Sequence, residues 1–283
     1  MRLGVIGGGL MGSGIAEVSA RAGVDVTVVE ADTARVDAAR VRIERSLDRA
    51  VRRGKLEDGD RTVALERLAF SDRLEDLEGS DATIEAIVED EQAKRDLFTR
   101  LDQLLPDARW LASNTSSVPI MKLAAGTKHP QRVLGLHFFN PVPVLKLVEV
   151  VRSIMSADEP VEDARRFAED RLGKTSINSQ DRAGFVVNAL LIPYIVSAIR
   201  MYESGFASPK DIDNGMVLGA AHPMGPLALA DLIGLDTVLA VCNSLYEEFR
   251  DPASVAPAVL LRMVEAGLLG RKSGRGFYDY AEN

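Results

Sequence analysis

The amino-acid sequence predicts an α/β protein, in which a doubly wound, mostly parallel sheet is followed by an all-α C-terminal domain. Short runs of β-branched residues alternate with helix-spaced segments over residues 1–182, and such alternation predicts a parallel sheet with right-handed crossovers. A glycine-rich turn joins the first of these runs to the first helix. Over residues 183–283 the helical spacing continues without a convincing strand, so we place the domain boundary between these two ranges.

The predicted elements follow one another in a regular order. Buried strands are predicted at residues 2–7, 25–30, 81–88, 109–114, 132–138, 144–152 and 174–178. Helices are predicted between them at residues 16–23, 33–54, 91–105 and 159–173, and Gly173 ends the last of these. The C-terminal domain is predicted to contain five helices, separated by glycine, proline or Ser-Pro.

Composition and charge argue against several classes of function. The net charge of −8 argues against general nucleic-acid binding, because such a surface does not attract phosphate. Cys242 is the single cysteine, so no internal disulfide can form and a reducing compartment, the cytoplasm, is expected. The chain enters a predicted strand at once, so we expect no signal peptide. No histidine or cysteine cluster has the spacing of metal ligands, so we expect no metal site.

The most apolar segment, residues 183–199, is predicted to be buried between helices or between subunits rather than to cross a membrane. It contains Asn188, Pro193, Tyr194 and Ser197 and is slightly short for a span. The C-terminal domain has more apolar helix surface than one small domain can easily bury. We therefore expect a homodimer that forms through this domain.

The glycine-rich turn has the features of a dinucleotide-binding loop. The stretch VIGGGLMGSG contains Gly7, Gly9 and Gly12 after a β-branched strand and at the start of a helix. In this context Gly7 allows the tight turn, Gly9 lets a pyrophosphate approach the backbone, and Gly12 lets the helix pack on the strand. Leu10 and Met11 lie between them and are candidate cofactor contacts. A structural glycine turn without a dinucleotide is the alternative.

Glu30 stands at the end of the second predicted strand, 18 residues after Gly12. A carboxylate at this place can bind both hydroxyls of the adenosine ribose, and it repels a 2′-phosphate. The next residues, ADT, provide no arginine that could hold such a phosphate. The sequence therefore predicts a Rossmann-type domain that binds NAD in preference to NADP.

His137 lies in the middle of an apolar run, RVLGLHFFN, whereas the other two histidines each precede a proline. Glu149 follows twelve positions later, beyond a turn around Pro141 and Pro143 that could bring two strands side by side. An imidazole paired with a carboxylate has a fixed tautomer and raised basicity, so it can take the proton of an alcohol while hydride leaves the same carbon. The alternative is a core histidine that is satisfied by a carbonyl group.

Small polar side chains follow the fourth predicted strand, in ASNTSSVP at residues 112–119. The carboxyl ends of parallel strands face the ligand crevice of an open sheet, which makes these residues candidate ligand contacts. Ser116 or Ser117, just before Pro119, could also cap the next helix, and the two roles are compatible.

The predicted helix at residues 33–54 is rich in arginine, which occurs at positions 35, 40, 42, 45, 49, 52 and 53. Such a helix is usually a solvated face with local ion pairs. The alternative is a basic surface that binds a phosphorylated or otherwise acidic ligand.

Together, these motifs resemble the L-3-hydroxyacyl-CoA dehydrogenase family, and most closely its single-function bacterial 3-hydroxybutyryl-CoA dehydrogenases. The resemblance covers nearly the whole chain, through GGGLMGSGIAEV, IEAIVEDEQAKRDLF, ASNTSSVPI, GLHFFNPVPVLKLVEVV, GFVVNALLIPY, HPMGPLALADLIGLDT and KSGRGFYDY. The combination of SNTSS with HFFNPVPVLKLVEVV is highly specific. Ala183 and Ala189 depart from the pattern, since the family often has proline before GF and arginine after the asparagine of GFVVN.

The resemblance implies catalytic roles for four positions. His137 is similar to the general base of the family, and Glu149 is similar to its partner. Ser116 is similar to the residue that hydrogen-bonds the 3-oxygen of the substrate. Asn188 is similar to a fourth active-site residue, which the helical domain contributes.

The resemblance also implies binding roles. Residues that contact NAD or line the same crevice are implied at Glu89, Lys94, Asn114 and Asn140. Ser46 and Arg53 match positions that hold the coenzyme A moiety, which favours the ligand-binding interpretation of the arginine-rich helix.

The activity that the resemblance implies is the NAD-dependent oxidation of a short-chain (S)-3-hydroxyacyl-CoA to the 3-ketoacyl-CoA, or the reverse reduction. The same chemistry on an acyl-carrier-protein thioester or a free hydroxy acid is the alternative, and a helix 33–54 without a coenzyme A site would favour it. A non-catalytic NAD-binding protein is a third hypothesis, against which the intact set of His137, Glu149, Ser116 and Asn188 argues.

Overall fold

The structure, a computed structural model, describes residues 1–280. The chain divides into two compact units, of which the first is Met1–Asp181 and the second begins at Arg182. The sequence placed the boundary after residue 182.

One eight-stranded sheet forms the centre of the first unit. Its strands are β1 (Arg2–Ile6), β2 (Asp25–Val29), β3 (Leu68–Ser71), β4 (Ala82–Glu85), β5 (Trp110–Ser113), β6 (Val133–Phe138), β7 (Leu147–Arg152) and β8 (Thr175–Gln180). They are ordered β3-β2-β1-β4-β5-β6-β7-β8. The first six are parallel, β7 runs antiparallel to β6, and β8 is parallel to β7. The strand order reverses between β1 and β4, as in a Rossmann fold, which confirms the predicted fold class.

Helices connect most of the strands. In the first unit they are α1 (Leu10–Arg21), α2 (Thr33–Arg52), α3 (Asp58–Glu66), α4 (Glu91–Leu104), α5 (Ile120–Ala124) and α6 (Asp158–Arg166). A π-helical turn, Phe167–Arg171, continues α6, and Gly173 then adopts a positive φ of 62°. Glycine tolerates this conformation better than other residues, which explains why the helical segment ends there.

Strand β3 and helix α3 were not predicted from the sequence. None of the four residues of β3 is buried, so the strand lacks the apolar run that identified the others. It is one of the two edge strands of the sheet and, within residues 1–280, pairs only with β2, which is why its side chains are only partly covered.

The core of the first unit lies between the sheet and its helices. Val5 and Ile84 of the central strands and Ile15 of α1 are fully buried. On α2, Ala39, Ile43 and Leu47 are buried at intervals of four residues. One face of this arginine-rich helix therefore packs on the protein and leaves the other faces to its charged residues.

The second unit is helical. It consists of α7 (Val187–Glu203), α8 (Pro209–Gly219), α9 (Pro226–Ile233), α10 (Leu235–Phe249) and α11 (Ala258–Glu265). Its core includes Ile195, Ile199, Val238 and Cys242, and burial raises the pKa of the Cys242 thiol to about 12. Within residues 1–280, no single helix is long and apolar enough to span a membrane. Helices α9 and α10 reach that length and hydropathy only when they are taken together, and the chain bends by 97° between them.

Candidate functional site

The glycine loop between β1 and α1 has one crowded side and one open side. Gly7 has a φ of 95°, and a Cβ atom there would lie 2.5 Å from the carbonyl oxygen of Ala86. A Cβ atom on Gly12 would lie 1.7 Å from the carbonyl oxygen of Gly7. A Cβ atom on Gly9, by contrast, would meet nothing within 4 Å. The loop thus needs glycine for its own packing at two positions, and at the third it leaves room for a ligand.

The N-terminus of α1 faces this open side without a capping side chain. Its N-cap residue is Gly9, and no side chain of the described residues caps it. Leu10, in the first turn, is 63% exposed, and Met11 is partly exposed. Uncapped N–H groups at a helix N-terminus attract phosphate, so the geometry fits the pyrophosphate of a dinucleotide.

Glu30, predicted to bind the adenosine ribose, also holds the glycine loop. Its Oε1 accepts a hydrogen bond of 2.7 Å from the backbone N–H of Gly8. The carbonyl oxygen of Gly8 accepts hydrogen bonds from Ser13 Oγ at 2.7 Å and from Arg42 Nη1 at 2.6 Å. Neither of these contacts was predicted from the sequence, although Arg42 belongs to the arginine-rich helix.

His137 and Glu149 are opposite residues of β6 and β7. The Nδ1 of His137 lies 2.6 Å from Oε2 of Glu149, and the two side chains are 5% and 0% exposed. A carboxylate can only accept, so this contact favours the tautomer in which Nδ1–H donates to Glu149 and Nε2 is left as the acceptor. Ser116 Oγ lies 2.9 Å from Nε2. These three residues therefore form one hydrogen-bonded series, from Ser116 through His137 to Glu149.

Glu89 organises the loop that contains Ser116. Its Oε1 accepts hydrogen bonds from the backbone N–H groups of Ser116 and Ser117, both at 3.0 Å, and from the hydroxyls of Thr115 and Ser117. Burial opposes ionisation of Glu89, but the Lys94 ammonium and the two hydroxyls outweigh it and hold the pKa of Glu89 below its usual range. Glu89 is thus a carboxylate with several donors on one oxygen.

Lys94 is buried between two carboxylates. Its Nζ lies 2.6 Å from Oε1 of Glu85 and 3.1 Å from Oε2 of Glu89, and its side chain is 1% exposed. Glu85 is fully buried and also accepts a hydrogen bond from Ser113 Oγ at 2.5 Å. Glu85 and Ser113 were not predicted to belong to the site, although a glutamate within the apolar strand predicted at 81–88 was a signal that could have identified Glu85.

The other predicted residues are placed as follows. Asn114 is buried, and its Oδ1 accepts a hydrogen bond of 2.9 Å from the backbone N–H of Phe138, so it ties β5 to β6. Asn140 is exposed in the turn after β6. Asn188 is partly exposed in the first turn of α7, in the second unit.

Ser46 and Arg53 lie on or at the end of α2. The Ser46 side chain lies near the buried carboxylate of Glu17 on α1 and acts to lower the pKa of that group. Arg53 is the exposed C-cap residue of α2, and among residues 1–280 no carboxylate forms an ion pair with it. The structure therefore leaves the guanidinium of Arg53 available to an anionic ligand.

The predicted capping of α5 by Ser116 or Ser117 is wrong. The first two N–H groups of this helix, at Ile120 and Met121, donate instead to the carboxylate of Asp181, at 2.8 and 2.7 Å. A carboxylate that accepts two such bonds satisfies the helix N-terminus, and Ser116 is left to contact His137.

These features define the class of the protein as an α/β dinucleotide-binding protein with a buried pair of histidine and glutamate at the carboxyl edge of its sheet. Comparison with known proteins identifies the family. Residues 2–182 match the family described as "3-hydroxyacyl-CoA dehydrogenase, NAD binding domain", and residues 184–280 match its "C-terminal domain". The chain belongs to the 3-hydroxyacyl-CoA dehydrogenase family, whose members are oxidoreductases, and its cofactor is NAD.

Relatives are similar over the whole chain. A 3-hydroxybutyryl-CoA dehydrogenase of Mycobacterium tuberculosis is 57% identical over 281 residues, which cover 99% of this chain and 98% of the relative. The crystal structure of FadB2 from M. tuberculosis has a TM-score of 0.97 at 56% identity and covers 99% of this chain and 98% of that chain. The structure of (S)-3-hydroxybutyryl-CoA dehydrogenase PaaH1 from Ralstonia eutropha has a TM-score of 0.93 at 43% identity, with the same coverage.

Proposed function

We propose that this protein oxidises short-chain (S)-3-hydroxyacyl-CoA to 3-ketoacyl-CoA with NAD, and catalyses the reverse reduction. The observation that carries the proposal is the hydrogen-bonded series of Ser116, His137 and Glu149, in a chain of this family. The names of the relatives, 3-hydroxybutyryl-CoA dehydrogenases, support a substrate with a short acyl chain.

The proposed mechanism assigns the proton to His137. Bound NAD supplies the acceptor for the hydride. Nε2 of His137 takes the proton of the 3-hydroxyl and returns it in the reverse direction, which is general base and general acid catalysis. Glu149 orients the ring through Nδ1 and balances the charge of the imidazolium. Ser116 donates a hydrogen bond to the 3-oxygen of the substrate. Asn188, from the helical domain, is proposed as a fourth active-site residue.

The residues proposed to hold the cofactor form two groups. Those of the glycine loop and the end of β2 are Gly7, Gly9, Leu10, Met11, Gly12 and Glu30. Those proposed for the nicotinamide half or its crevice are Glu89, Lys94, Asn114 and Asn140. The uncapped N-terminus of α1 supports the first group, and the second includes the carboxylate that organises the Ser116 loop.

Ser46 and Arg53 are proposed to hold the coenzyme A moiety. Ser46 lies on α2 and Arg53 is its C-cap residue, and the guanidinium of Arg53, which has no ion pair within residues 1–280, suits a phosphate. A coenzyme A site on α2 favours the acyl-CoA substrate over a free hydroxy acid, for which such a site has no use.

We also propose a cytoplasmic homodimer that forms through the C-terminal domain. Leu190, Phe206 and Leu218 of the second unit are 73%, 79% and 82% exposed, and a partner subunit could cover such apolar side chains. The single cysteine suits a reducing compartment. Sedimentation at micromolar concentration tests the dimer, and a monomer would refute it.

NADH oxidation with three substrates tests the proposed function. Acetoacetyl-CoA, its acyl-carrier-protein analogue and free acetoacetate are compared side by side, and we expect turnover with acetoacetyl-CoA to be the fastest. Faster turnover of another substrate would support the alternative substrates. NADH binding without turnover of any of the three would support a non-catalytic protein.

A further inference from the structure

We propose that Glu85 and Ser113 are positioning residues, which hold Ser116 against the ring of His137. Neither residue was predicted to belong to the site. The proposal rests on the proposed function in so far as Ser116 and His137 carry it, and it extends the site by two residues that need not touch substrate or cofactor.

Glu85 lies at the carboxyl end of β4, beside β5. Its Oε1 accepts from Lys94 Nζ at 2.6 Å and from the backbone N–H of Ile87 at 2.7 Å. Its Oε2 accepts from Ser113 Oγ at 2.5 Å. A buried carboxylate is costly unless it is paired and hydrogen-bonded. These three donors therefore fix both the position of Glu85 and the direction in which its second oxygen points.

Ser113 connects Glu85 to the loop that contains Ser116. Its hydroxyl donates to Glu85 and accepts a hydrogen bond of 3.2 Å from the backbone N–H of Thr115. The backbone N–H of Asn114, between them, donates to the backbone carbonyl oxygen of Glu85 at 2.8 Å. The chain is thus held at Ser113, Asn114 and Thr115, immediately before Ser116.

A second connection runs from Glu85 through charged groups. Lys94 contacts Glu85 and Glu89, and Glu89 accepts from the backbone N–H of Ser116 at 3.0 Å. The loop is therefore held from two directions, and both lead to Glu85. Since Ser116 Oγ lies 2.9 Å from Nε2 of His137, a small shift of the loop would break this contact.

A double-mutant cycle of Ser113→Ala and Ser116→Ala tests the proposal. Ser113→Ala removes one hydroxyl and no charge. We expect it to lower kcat for acetoacetyl-CoA about 10-fold, because misplacement of a catalytic group by about 1 Å can cost up to about 100-fold. The KM values should change less than about 2-fold. In the Ser116→Ala background Ser113→Ala should cause no further loss, because residues that act through one group are not additive.

Ser19→Ala is the matched control. Ser19 is a fully buried serine of α1, and its hydroxyl has no hydrogen-bond partner within residues 1–280. We expect its kcat to equal that of the wild type. A wild-type kcat in Ser113→Ala, or losses that multiply in the double mutant, would overturn the proposal. If Ser113→Ala does not fold, Glu85→Gln replaces it in the same cycle, and the same two outcomes decide.

An NMR measurement, which does not need turnover, tests the positioning role of Glu85 and Ser113 separately from the proposed function. The chain has three histidines, so the ¹⁵N spectrum of histidine-labelled protein is simple to assign with a His137→Gln variant. We expect Ser113→Ala to shift the Nε2 resonance of His137 in the same direction as Ser116→Ala does. If the wild type does not turn over acetoacetyl-CoA, the proposed function fails, and an unchanged Nε2 resonance refutes the positioning role separately.

Discussion

The Nδ1 of His137 and Oε2 of Glu149 are 2.6 Å apart, because the two residues are directly opposite each other in the antiparallel pair of β6 and β7. Side chains alternate between the faces of a sheet, so a slip of one residue would move Glu149 to the other face. Both side chains are buried. The register of these two strands therefore fixes the orientation and the tautomer of the imidazole.

The first prediction concerns His137. His137→Gln keeps much of the volume and some hydrogen bonding, but glutamine cannot shuttle a proton. We expect kcat to fall by roughly 10²–10⁴-fold, while circular dichroism and NADH fluorescence show a folded protein that still binds the cofactor. Unfolding, or a kcat near that of the wild type, would mean that His137 is a core residue and that the proposed mechanism is wrong.

The second prediction concerns Glu149. Glu149→Gln keeps a group that can orient the ring but cannot balance the charge of an imidazolium, so we expect it also to lose much of the rate. The double variant should be scarcely slower than His137→Gln, because the two residues act as one unit. Single-turnover measurements of NADH oxidation check this, and additive losses would contradict it.

Much of this arrangement could be predicted from the sequence, because its motifs are local. The glycine spacing and Glu30 lie within one strand–helix–strand unit, and His137 and Glu149, twelve positions apart, lie on two strands joined by a short turn. Regular alternation of strands and helices then determines which strand ends meet. The sheet, its order reversal and the contact of His137 with Glu149 follow from these features.

The contacts that the sequence analysis missed join distant parts of the chain. Arg42 reaches Gly8 across 34 positions, and Ser113 reaches Glu85 across 28. Asp181 caps a helix that begins 61 positions earlier, at Ile120. No local pattern marks such pairs, since each depends on how separate elements pack.

The third prediction concerns the choice of cofactor. Glu30→Ala should narrow the preference for NADH over NADPH, because the carboxylate that repels a 2′-phosphate is lost. The variant also loses the hydrogen bond to the Gly8 backbone, so NADH affinity itself should fall by about 10-fold or more, since a hydrogen bond to a charged group contributes about 1.5–3 kcal/mol. Fluorescence titration with both cofactors checks this, and equal use of the two by the wild type would contradict the assignment.

The fourth prediction concerns the coenzyme A moiety. Arg53→Glu should raise the KM for acetoacetyl-CoA and leave NADH binding unchanged. Arg53 is exposed, so we expect an effect on the order of 1 kcal/mol that weakens with salt. Initial rates at low and high salt measure it.

Arg40→Glu provides the control for this charge reversal. Arg40 is on the same helix, but its guanidinium lies 4.5 Å from the ring centre of Phe70, away from the proposed coenzyme A site. Its KM for acetoacetyl-CoA should stay near that of the wild type. Equal KM values for the two variants at low salt would refute the coenzyme A site on α2 and favour a solvated helix face.

The fifth prediction concerns Glu17, a buried carboxylate between α1 and α2. Burial raises its pKa above the usual 4.5, although hydrogen bonds from Ser46 and Arg21 and the charge of Arg21 act in the opposite direction. Glu17→Gln keeps the shape of the side chain and removes the charge. We expect this variant to be more stable than the wild type at about pH 8, with a Tm about 2–4 °C higher for each kcal/mol gained.

The sign of this effect follows from the direction of the pKa shift. Below pH 4.5 the carboxyl of Glu17 is protonated in both the folded and the unfolded chain, so it contributes no difference in charge. As the pH rises through the higher pKa of the folded state, the unfolded chain ionises more readily, and stability is lost. The advantage of Glu17→Gln should therefore grow with pH, whereas Glu66→Gln, at an exposed position of α3, should show no such trend. Thermal melts from about pH 4.5 to 8 measure both, and an advantage that shrinks as the pH rises would show that the contacts with Ser46 and Arg21 outweigh burial.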